Sequence, residues 1–380
     1  MMSGPLAGVK IIELVGIGPG PFAGMLLADM GAEVIAVDRM GRGSASPTLP
    51  VDLARRGKRA IAVDLKQPQG RAIVQDLIRN SDGFFEGYRP GVTEKLGVGP
   101  DDLLAINPRL VYGRLTGWGQ DGPLAQAAGH DINYIALSGA LHAMGPKDAP
   151  PVPPLNLVGD YAGGSLMMAF GLMAGILNAR TTGKGQVVDV SMVEGASLLM
   201  TLFHSLKASG LWAEARGVNM LDGGAHFYGT FETADGHHVS LGAIEPPFMQ
   251  LFIDKAGLNP DWLSAHMDTA RWPELRTELA GVFKTKTQAD WCTLLEGTDA
   301  CFAPVLPFWE AADHPHNAAR GSFTEVDGVT QPAPAPKFSE TPGVISRGPV
   351  KPGGDTDAIL TDLGRSEAEI ASLRESGTVA

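Results

Sequence analysis

A glycine-rich turn near the amino terminus is the first segment whose residue types suggest ligand binding. Gly16–Pro21 reads Gly-Ile-Gly-Pro-Gly-Pro between a β-branched run and a helical pattern. Asp38 follows about 20 residues later, an order close to the dinucleotide-binding fingerprint. However, Pro21 stands where that fingerprint has Gly or Ala, and Pro19 and Pro21 lack the backbone N–H groups that cradle a pyrophosphate. The turn therefore predicts a strand-to-helix connection near some ligand rather than a nicotinamide site.

Basic side chains are concentrated in one short stretch of an otherwise acidic chain. The cluster consists of Arg55, Arg56, Lys58, Arg59 and Lys66. It is either a solvated loop or a docking point for a polyanionic small molecule, because phosphate groups need several Lys or Arg donors together. Arg39 and Arg89 follow predicted strand ends, where open α/β sheets bind their ligands. We expect these two to converge with the cluster.

Three residues are candidates for acid–base chemistry. His130 lies in a Gly-His-Asp-Ile-Asn-Tyr stretch, Asp160 precedes Gly163-Gly164 and an apolar helix, and Glu245 follows a predicted strand. Each has a purely structural alternative: a satisfied histidine, a helix N-cap aspartate and a surface acid. A carboxylate beside small residues leaves room for a substrate, and the free N–H groups of that helix start can hold an oxyanion.

Alternating strand and helix patterns predict a Rossmann-like α/β domain with a parallel sheet over residues 1–190, completed by 335–380. Val9–Val15 and Arg59–Leu65 read as strands, as do DGFFEGY and RLVYGRLTGWG. The predicted helices include Pro68–Asn80, a buried core helix over Tyr161–Arg180 and a second long helix over Val187–Ser209.

The composition changes in the second half of the chain, where glycine becomes rarer and tryptophan more frequent. We predict a linker helix over 191–224, a smaller α+β domain over 225–325 and a linker over 326–334. Asp235-Gly236 is typical of a hairpin turn. Two short helices broken at Gly364 are expected near the carboxyl terminus.

Composition and charge exclude several classes of function. The 380 residues carry 30 basic and 42 acidic side chains, a net charge of -12, whereas nucleic-acid and anionic-membrane binders are usually basic. Cys292 and Cys301 have no zinc-ligand spacing and predict free thiols. The apolar run Leu166–Leu177 is too short to span a bilayer, and the amino terminus lacks a signal-peptide pattern. We therefore expect a soluble cytoplasmic protein without a metal.

Several segments together resemble the class III CoA-transferase family. They are LVGIGPGPFAGMLLADMGAEVIAVDR, RRGKRAIAVDLK, FFEGYRPGVTEKLG, GRLTGWGQDGPLAQAAGHDINYIALSG and PPLNLVGDYAGGSLM. The likeness extends through GKGQVVDVSMVEGA and GAIEPPF and covers essentially the whole chain in order. Gly129-His130-Asp131 resembles the racemase branch, because transferases of the family have an aromatic residue at the position of His130.

The resemblance implies a racemase that interconverts (R)- and (S)-2-methylacyl-CoA thioesters through an enolate. His130 and Asp160 are then the two acid/base groups, and Glu245 hydrogen-bonds the histidine. Asp131 and Asn156 support them, and backbone N–H groups at the Asp160 helix start hold the enolate oxygen. No cofactor is implied, since CoA enters as part of the substrate.

The resemblance also implies contacts to CoA and an assembly. The CoA contacts fall on Arg39, Arg56, Asp64, Leu65, Arg89 and Lys95, the last standing where many racemases have Arg. Family members form interlocked homodimers, so Glu245 would serve its own chain's site or the partner's. Two alternatives stay open: a CoA transferase with Asp160 as nucleophile, and a non-catalytic CoA-thioester-binding protein.

Overall fold

The computed structural model describes residues 4–40 and 49–380, and its larger unit is built on a parallel sheet. The strands are β1 (Lys10–Leu14), β2 (Glu33–Arg39), β3 (Arg59–Val63), β4 (Gly83–Glu86), β5 (Val111–Thr116) and β6 (Gln186–Ser191). Among the described residues, the order in the sheet is β3-β2-β1-β4-β5-β6, with every neighbouring pair parallel. The predicted Rossmann-like fold is therefore confirmed.

Helices cover both faces of this sheet. Those of the larger unit are α1 (Pro19–Asp29), α2 (Pro68–Ile78), α3 (Val92–Lys95), α4 (Pro100–Ile106), α5 (Asp131–Leu137), a π-helix (Leu157–Leu166), α6 (Met167–Thr182), α7 (Met192–Leu199), α14 (Thr356–Asp362) and α15 (Glu367–Glu375). Successive strand residues point to opposite faces, so Ile11 and Ile12 of β1 enter two different cores. Ile12 packs with α2 and with Ile359 and Leu360 of α14, whereas Ile11 packs with α1 and α6.

The long helix predicted over Val187–Ser209 is wrong in its first part. Gln186–Ser191 is the edge strand β6, which pairs in register with Val111–Thr116, and helix begins only at Met192. The run Val187-Val188-Asp189-Val190 is rich in β-branched residues, which favour strands. Because this edge strand is exposed at Gln186, Val187 and Asp189, its sequence lacks the continuous apolar run that is typical of a buried central strand.

The apolar helix predicted over Tyr161–Arg180 is present but is not wholly buried. It belongs to a 26-residue helical stretch, Leu157–Thr182, long and apolar enough by length and composition to cross a membrane. Core helices of soluble proteins share those properties, and 44 % of its most apolar window is buried inside this protein. Phe170 and Leu177 are 73 % and 70 % exposed, which leaves one apolar face uncovered in the single chain.

The second unit combines an antiparallel sheet with a helical layer, as predicted for a smaller α+β domain. Its strands are β7 (Tyr228–Glu232), β8 (His238–Gly242) and β9 (Phe302–Val305), in the order β7-β8-β9. Asp235-Gly236 forms the turn of the β7–β8 hairpin, with Gly236 at φ 80°. Its helices are α8 (Thr201–Ala208), α9 (Pro246–Ala256), α10 (Asp261–Ser264), α11 (Trp272–Phe283) and α12 (Gln288–Leu295).

Short elements connect the second unit to the end of the chain. They are α13 (Pro315–Arg320) and an antiparallel hairpin of β10 (Phe323–Val326) and β11 (Val329–Pro332). Elsewhere in the chain, 3₁₀ turns occur at Leu53–Arg55, Leu141–Ala143 and Ala311–Asp313. Gly364 at φ 81° separates α14 from α15, which confirms the predicted break. Cys292 and Cys301 are free thiols.

The two compact units divide the chain at other residues than the predicted 190, 224, 325 and 335. One contains the described residues of Met1–Ser138, Leu155–Leu199 and Ala318–Ala380, and the other contains Gly139–Pro154 and Met200–Asn317. The segment Gly139–Pro154 joins the second unit because the Arg216 guanidinium donates to its backbone carbonyl groups, including His142 O at 3.0 Å. Such a contact across about seventy residues leaves no compositional signal.

Three residues of the basic cluster, Arg55, Arg56 and Lys58, are buried in ion pairs, whereas Arg59 is partly buried and Lys66 is exposed. Arg55 donates two hydrogen bonds to Asp38, at 2.9 and 2.8 Å, and Arg56 donates two to Asp29, at 3.1 and 2.6 Å. Both arginines also reach the carboxyl-terminal segment, through Val350 O, Gln331 Oε1 and Pro332 O. The cluster therefore fastens distant segments to the sheet, and Asp38 is engaged with Arg55 instead of a ribose.

Lys58 and Glu13 form the most deeply buried of these pairs, with both side chains 1 % exposed. Lys58 Nζ donates to Glu13 Oε2 at 2.5 Å and to Pro21 O at 2.8 Å, so it joins β3, β1 and the first turn of α1. A Cβ atom at Gly24 would lie 2.2 Å from Glu13 Oε2, which explains the glycine there. Burial raises the pKa of Glu13 and lowers the pKa of Lys58.

Replacing Lys58 by Ala is expected to lower the free energy of unfolding by about 3–5 kcal/mol, because it leaves the Glu13 charge buried without a partner. Lys10→Ala is the matched control, since Lys10 on the same strand as Glu13 makes a half-exposed pair with Glu33 at 3.9 Å. Loss of the Lys10–Glu33 pair is expected to change the free energy of unfolding by about 1 kcal/mol or less. Urea unfolding followed by circular dichroism measures both, and equal effects would contradict the assigned role.

A pair of buried histidines lies in the core of the second unit. His226 is fully buried, and neither ring nitrogen has a hydrogen-bond partner among the described residues. Its ring lies 5.7 Å from that of His266, whose Nε2 is 2.8 Å from Ile244 O. Burial, together with His266 and Arg276, lowers the pKa of His226 to about 4. The neutral imidazole therefore belongs to the folded state.

The second unit is expected to lose stability as the pH falls from about 6.5 to 4. In the unfolded chain a histidine has a pKa near 6.5, so the unfolded state binds a proton in this window while folded His226 stays neutral. The stabilising contribution of neutral His226 is fully present above pH 6.5. His226→Phe should therefore make stability fall less steeply as the pH decreases. The control is His237→Phe, at an exposed histidine of the same unit. Melting temperatures across pH 4–8 test this, and equal slopes for all three proteins would refute it.

Candidate active site

A cavity of about 950 Å³ opens at the carboxyl ends of the parallel strands in the larger unit. It lies where the strand order reverses between β1 and β4, the position at which open α/β sheets bind their ligands. Residues at or just beyond the carboxyl ends of β1, β2, β4 and β5 contribute to its wall, together with the first residues of α1. The chemically relevant lining residues are Arg39, Tyr88, Arg89, Trp118, His130, Tyr134 and Asp160.

Asp160 is positioned by an unusual helical segment and by a buried carboxylate. It lies in the π-helix, a form that is rare and that is frequent at functional sites. Asp131 Oδ2 accepts hydrogen bonds from the backbone N–H groups of Gly159 and Asp160, both at 2.7 Å. Asn156 Nδ2 lies 3.3 Å from Asp160 Oδ2. The predicted supporting residues Asp131 and Asn156 are thus in direct contact with Asp160.

The Asp160 carboxyl is less acidic than an ordinary aspartate. Burial raises its pKa, the nearby charge of Asp131 raises it further, and the Asn156 hydrogen bond and His130 act in the opposite direction. The wall of the cavity thus keeps the protonated form of this carboxyl accessible closer to neutral pH.

His130 lies on the same cavity, immediately before α5. Its backbone N–H donates to Asn133 Oδ1 at 3.0 Å, and its side chain is exposed. Tyr134 OH donates to Gly129 O at 2.5 Å and packs edge-on against Trp118, with ring centroids 4.9 Å apart. The loop that carries His130 is therefore anchored from both sides, while the imidazole remains open to a ligand.

Two arginines bring positive charge to the cavity. Arg39 ends β2 and Arg89 follows β4, and both are exposed lining residues. Neither forms a salt bridge with another residue in the described ranges 4–40 and 49–380. Their placement at strand ends matches the prediction, and their donors are open to an anionic ligand.

The other predicted ligand contacts lie elsewhere. Arg56 is 3 % exposed and its guanidinium is occupied by Asp29, Gln331 and Pro332, so the structure gives it a structural place instead of one on the cavity. Asp64 accepts hydrogen bonds from Lys66 N and Gln67 Nε2 at the start of α2. Leu65 packs against the core, and Lys95 is exposed on α3. For Asp64, Leu65 and Lys95, contact with CoA remains a prediction.

Glu245 belongs to the second unit, where it is exposed and immediately precedes α9. Its side chain makes no capping hydrogen bond, although its backbone carbonyl accepts from Phe248 and Met249. The predicted partnership with His130 remains a prediction.

Sequence reasoning missed the two aromatic residues that shape the site. Trp118 and Tyr134 flank the histidine loop, and the indole Nε1 of Trp118 is buried without a partner among the described residues. Burial raises the pKa of Tyr134 to about 12, so its hydroxyl stays protonated as a donor. Trp118 sits two residues beyond β5, a signal that was available from the strand prediction.

Residues of the described ranges include no group of three or more His, Cys, Asp or Glu side chains arranged to hold a metal ion. The expectation that the protein uses no metal stays a prediction.

The chain belongs to the CoA-transferase family III, whose sequence pattern matches residues 6–356. It is 45 % identical to the alpha-methylacyl-CoA racemase of Mus musculus, covering 98 % of this chain and 97 % of the mouse protein. It is 46 % identical to the alpha-methylacyl-CoA racemase of Homo sapiens, covering 97 % and 96 %. The crystal structure of Rv3272 from M. tuberculosis is similar with a TM-score of 0.77 and 26 % identity, over 94 % of this chain and all of that one.

Gly163→Ala is expected to disturb the Asp160 segment. The added Cβ atom would lie 2.8 Å from the backbone nitrogen of Ala196 on α7, too close without a shift of one helix. Overpacking of this kind costs about 1–3 kcal/mol, and displacement of the π-helix should weaken the binding of a CoA thioester. Gly281→Ala in α11 is the control, because nothing lies within 4 Å of its added Cβ. Calorimetric melting and binding titrations decide; a Gly163→Ala protein that matches Gly281→Ala in both would contradict the packing argument.

Proposed function

We propose that this protein is an isomerase that interconverts the (R) and (S) epimers of 2-methylacyl-CoA thioesters. The observation that carries the proposal is the presence of His130 and Asp160 on one cavity, with the pKa of Asp160 raised by burial. The full-length similarity to two proteins named alpha-methylacyl-CoA racemase supports it. Degradation of branched acyl chains, and thus fatty acid metabolism, is the setting in which such a reaction is useful.

The reaction needs two acid/base groups on opposite faces of the substrate α-carbon. One group removes the α-proton, a planar enolate forms, and the other group, already protonated, returns a proton to the opposite face. One epimer is deprotonated by the His130 imidazole and the other by the Asp160 carboxylate. After each turnover the group that removed the α-proton is protonated and the group that returned a proton is deprotonated, the reverse of the starting state. Proton exchange with solvent restores the starting state. The raised pKa of Asp160 makes it both an adequate base and an adequate acid near neutral pH.

The enolate oxygen requires preorganised positive charge. The sequence suggested the backbone N–H groups beside Asp160, but those of Gly159 and Asp160 itself already donate to Asp131 Oδ2. The cavity is also lined by Gly18, Pro19 and Gly20 at the start of α1, an 11-residue helix. The positive end of that helix, where the N–H group of Gly20 remains between Pro19 and Pro21, is the better candidate for the oxyanion side of the site.

The CoA moiety is assigned to the arginine side of the cavity. Arg39 and Arg89 supply donors for phosphate groups, and guanidinium groups suit bidentate phosphate contacts. No separate cofactor is proposed, since CoA arrives with the substrate.

We propose a homodimer, interlocked as the family resemblance implies, in the cytoplasm. Apolar side chains on α6, α7 and the preceding π-helix support burial against another chain. Phe170, Leu177, Leu198 and Leu166 are each at least 50 % exposed, and grouped exposed apolar side chains mark interaction surfaces. In such a dimer Glu245 from one of the two chains would orient His130.

A class III CoA transferase is the second candidate, because the cavity is lined by Asp160, the residue that the family resemblance implies as the carboxylate nucleophile of that branch. His130 distinguishes the two, since an acid/base group on the opposite side of the substrate is needed for epimerisation.

A single-epimer 2-methylacyl-CoA in D₂O separates these functions. The racemase predicts α-deuterium incorporation together with epimerisation, followed by mass spectrometry and proton NMR. No exchange, combined with CoA transfer to an added carboxylate, would establish the transferase instead.

His130→Ala is expected to reduce deuterium exchange from one epimer by about 100-fold or more, because that epimer loses its base. Exchange from the other epimer should be less affected, since Asp160 still removes its proton. His237→Ala, at an exposed histidine of the second unit, is the control and should match the parent. Equal exchange rates for His130→Ala and the parent with both epimers would remove the histidine from the mechanism.

A further inference from the structure

Glu86 is a buried carboxylate between the cavity-lining residues Phe85 and Gly87, and the proposed reaction does not use it. It ends β4, one of the two central strands beside the switch point, and is 1 % exposed. Its Oε2 accepts the backbone N–H of Tyr88 at 2.6 Å, and its Oε1 accepts Arg114 Nε at 3.1 Å. Burying a carboxylate is expensive unless it is paired and hydrogen-bonded, and both oxygens of Glu86 meet that condition.

The segment that Glu86 holds is the one that carries Arg89. Residues 87–90 all line the cavity. Tyr88 OH donates to Val15 O at 3.0 Å, which ties the segment to the end of β1, and Gln126 Nε2 donates to Pro90 O at 3.0 Å, which ties it to the loop before His130. The hydrogen bond from Tyr88 N–H to the Glu86 carboxylate is the third attachment. Arg89 thus projects from a loop that is fixed on three sides.

The negative charge of Glu86 balances the buried positive charge of Arg114. Arg114 is 7 % exposed and also donates to both carboxylate oxygens of Glu94, at 2.8 and 3.3 Å. A neutral side chain in place of Glu86 would leave a buried guanidinium with Glu94 alone, whose side chain is 44 % exposed. The charged or titratable groups that face Glu86 are Arg114 and Tyr112 from β5, Glu94 from α3 and Tyr88 from its own loop.

We propose that Glu86 is a positioning residue for the CoA end of the site, where its ionised carboxylate fixes the Tyr88–Pro90 loop and thereby the Arg89 guanidinium. The inference rests on the proposed function for the identity of the ligand. Loss of the negative charge weakens the bonds from Tyr88 N–H and Arg114, because hydrogen bonds to an ionised acceptor are about twice as strong as neutral ones. The loop then samples positions from which Arg89 no longer meets the phosphate groups.

Protonation of Glu86 has the same effect as its replacement. Burial raises the pKa of Glu86 to about 7, against the opposing effects of Tyr88 N–H and Arg114. The carboxylate is therefore ionised above this pH and increasingly protonated below it. CoA affinity is expected to fall as the pH decreases through about 7, in addition to any change from the ligand's own phosphate.

Calorimetric titration of the full-length protein with CoA at pH 6.0 to 8.5 tests the inference on Glu86→Gln, which keeps the size and an acceptor oxygen. At pH 8.5 the variant should bind CoA about 5-fold more weakly than the parent. At pH 6.0 the two should differ by less than about 2-fold, because Glu86 of the parent is then protonated. Turnover at saturating substrate should stay close to the parent, so the effect appears in KM and not in kcat. The matched control is Glu33→Gln, at the opposite end of the sheet, which removes the same charge and should bind like the parent at every pH.

A second measurement on the parent protein covers the case in which Glu86→Gln does not fold. Deuterium exchange of the backbone amides in 86–90, corrected for intrinsic rates, should show protection that is lost as the pH falls below about 7. Protection independent of pH, or CoA affinity of Glu86→Gln equal to the parent at pH 8.5, overturns the inference while leaving the proposed reaction intact. If Glu86→Gln binds CoA more weakly than the parent and the parent does not racemise 2-methylacyl-CoA, the inference is supported and the proposed reaction is refuted. Absence of CoA binding by the parent overturns both.

Discussion

The buried ion pair between Lys58 and Glu13 is the constraint from which the rest of the larger unit follows. Glu13 stands in the central strand β1 and Lys58 directly before β3, so their contact links these two strands across β2. Lys58 also holds the carbonyl of Pro21, which fixes the first turn of that helix. Gly18, Pro19 and Gly20 form part of the cavity wall, so a charge pair outside the cavity helps to position that part of the wall.

Polar groups around the cavity are divided between those that bind one another and those that stay open. Asp131 uses one oxygen for the backbone of Gly159 and Asp160, and Glu86 uses both of its oxygens for Tyr88 and Arg114. These buried carboxylates hold the loops that present the functional residues. The candidate functional groups that face the cavity are His130, Asp160, Arg39 and Arg89. Positioning and the proposed reactivity thus fall to different side chains, and the hydrogen bonds that hold the loops leave the side chains of His130, Arg39 and Arg89 exposed.

The distribution of charge reconciles a net charge of -12 with the proposed binding of an anionic ligand. Arg55, Arg56 and Lys58 are neutralised internally by Asp38, Asp29 and Glu13, so they contribute little to the field at the surface. Arg39 and Arg89 have no such partners within the described part of the chain, and their charge acts on the cavity, where it opposes the rise in the pKa values of Tyr88 and Tyr134. Local unpaired charge, rather than net charge, sets the preference of the site.

The sequence by itself determined the family, the parallel α/β class, the antiparallel hairpin at Asp235-Gly236 and the candidates His130, Asp160, Arg39 and Arg89. These depend on local pattern and on the rule that loops after parallel strands meet at one edge. The tertiary structure decided the partners of Arg56 and the hydrogen bonds from the backbone of Gly159 and Asp160 to Asp131. Those features arise from contacts between residues distant in the chain, such as Arg56 with Gln331, and no local pattern encodes them. A basic cluster looks the same in sequence whether its charges face a ligand or a buried carboxylate, because only the folded chain supplies the counter-charge.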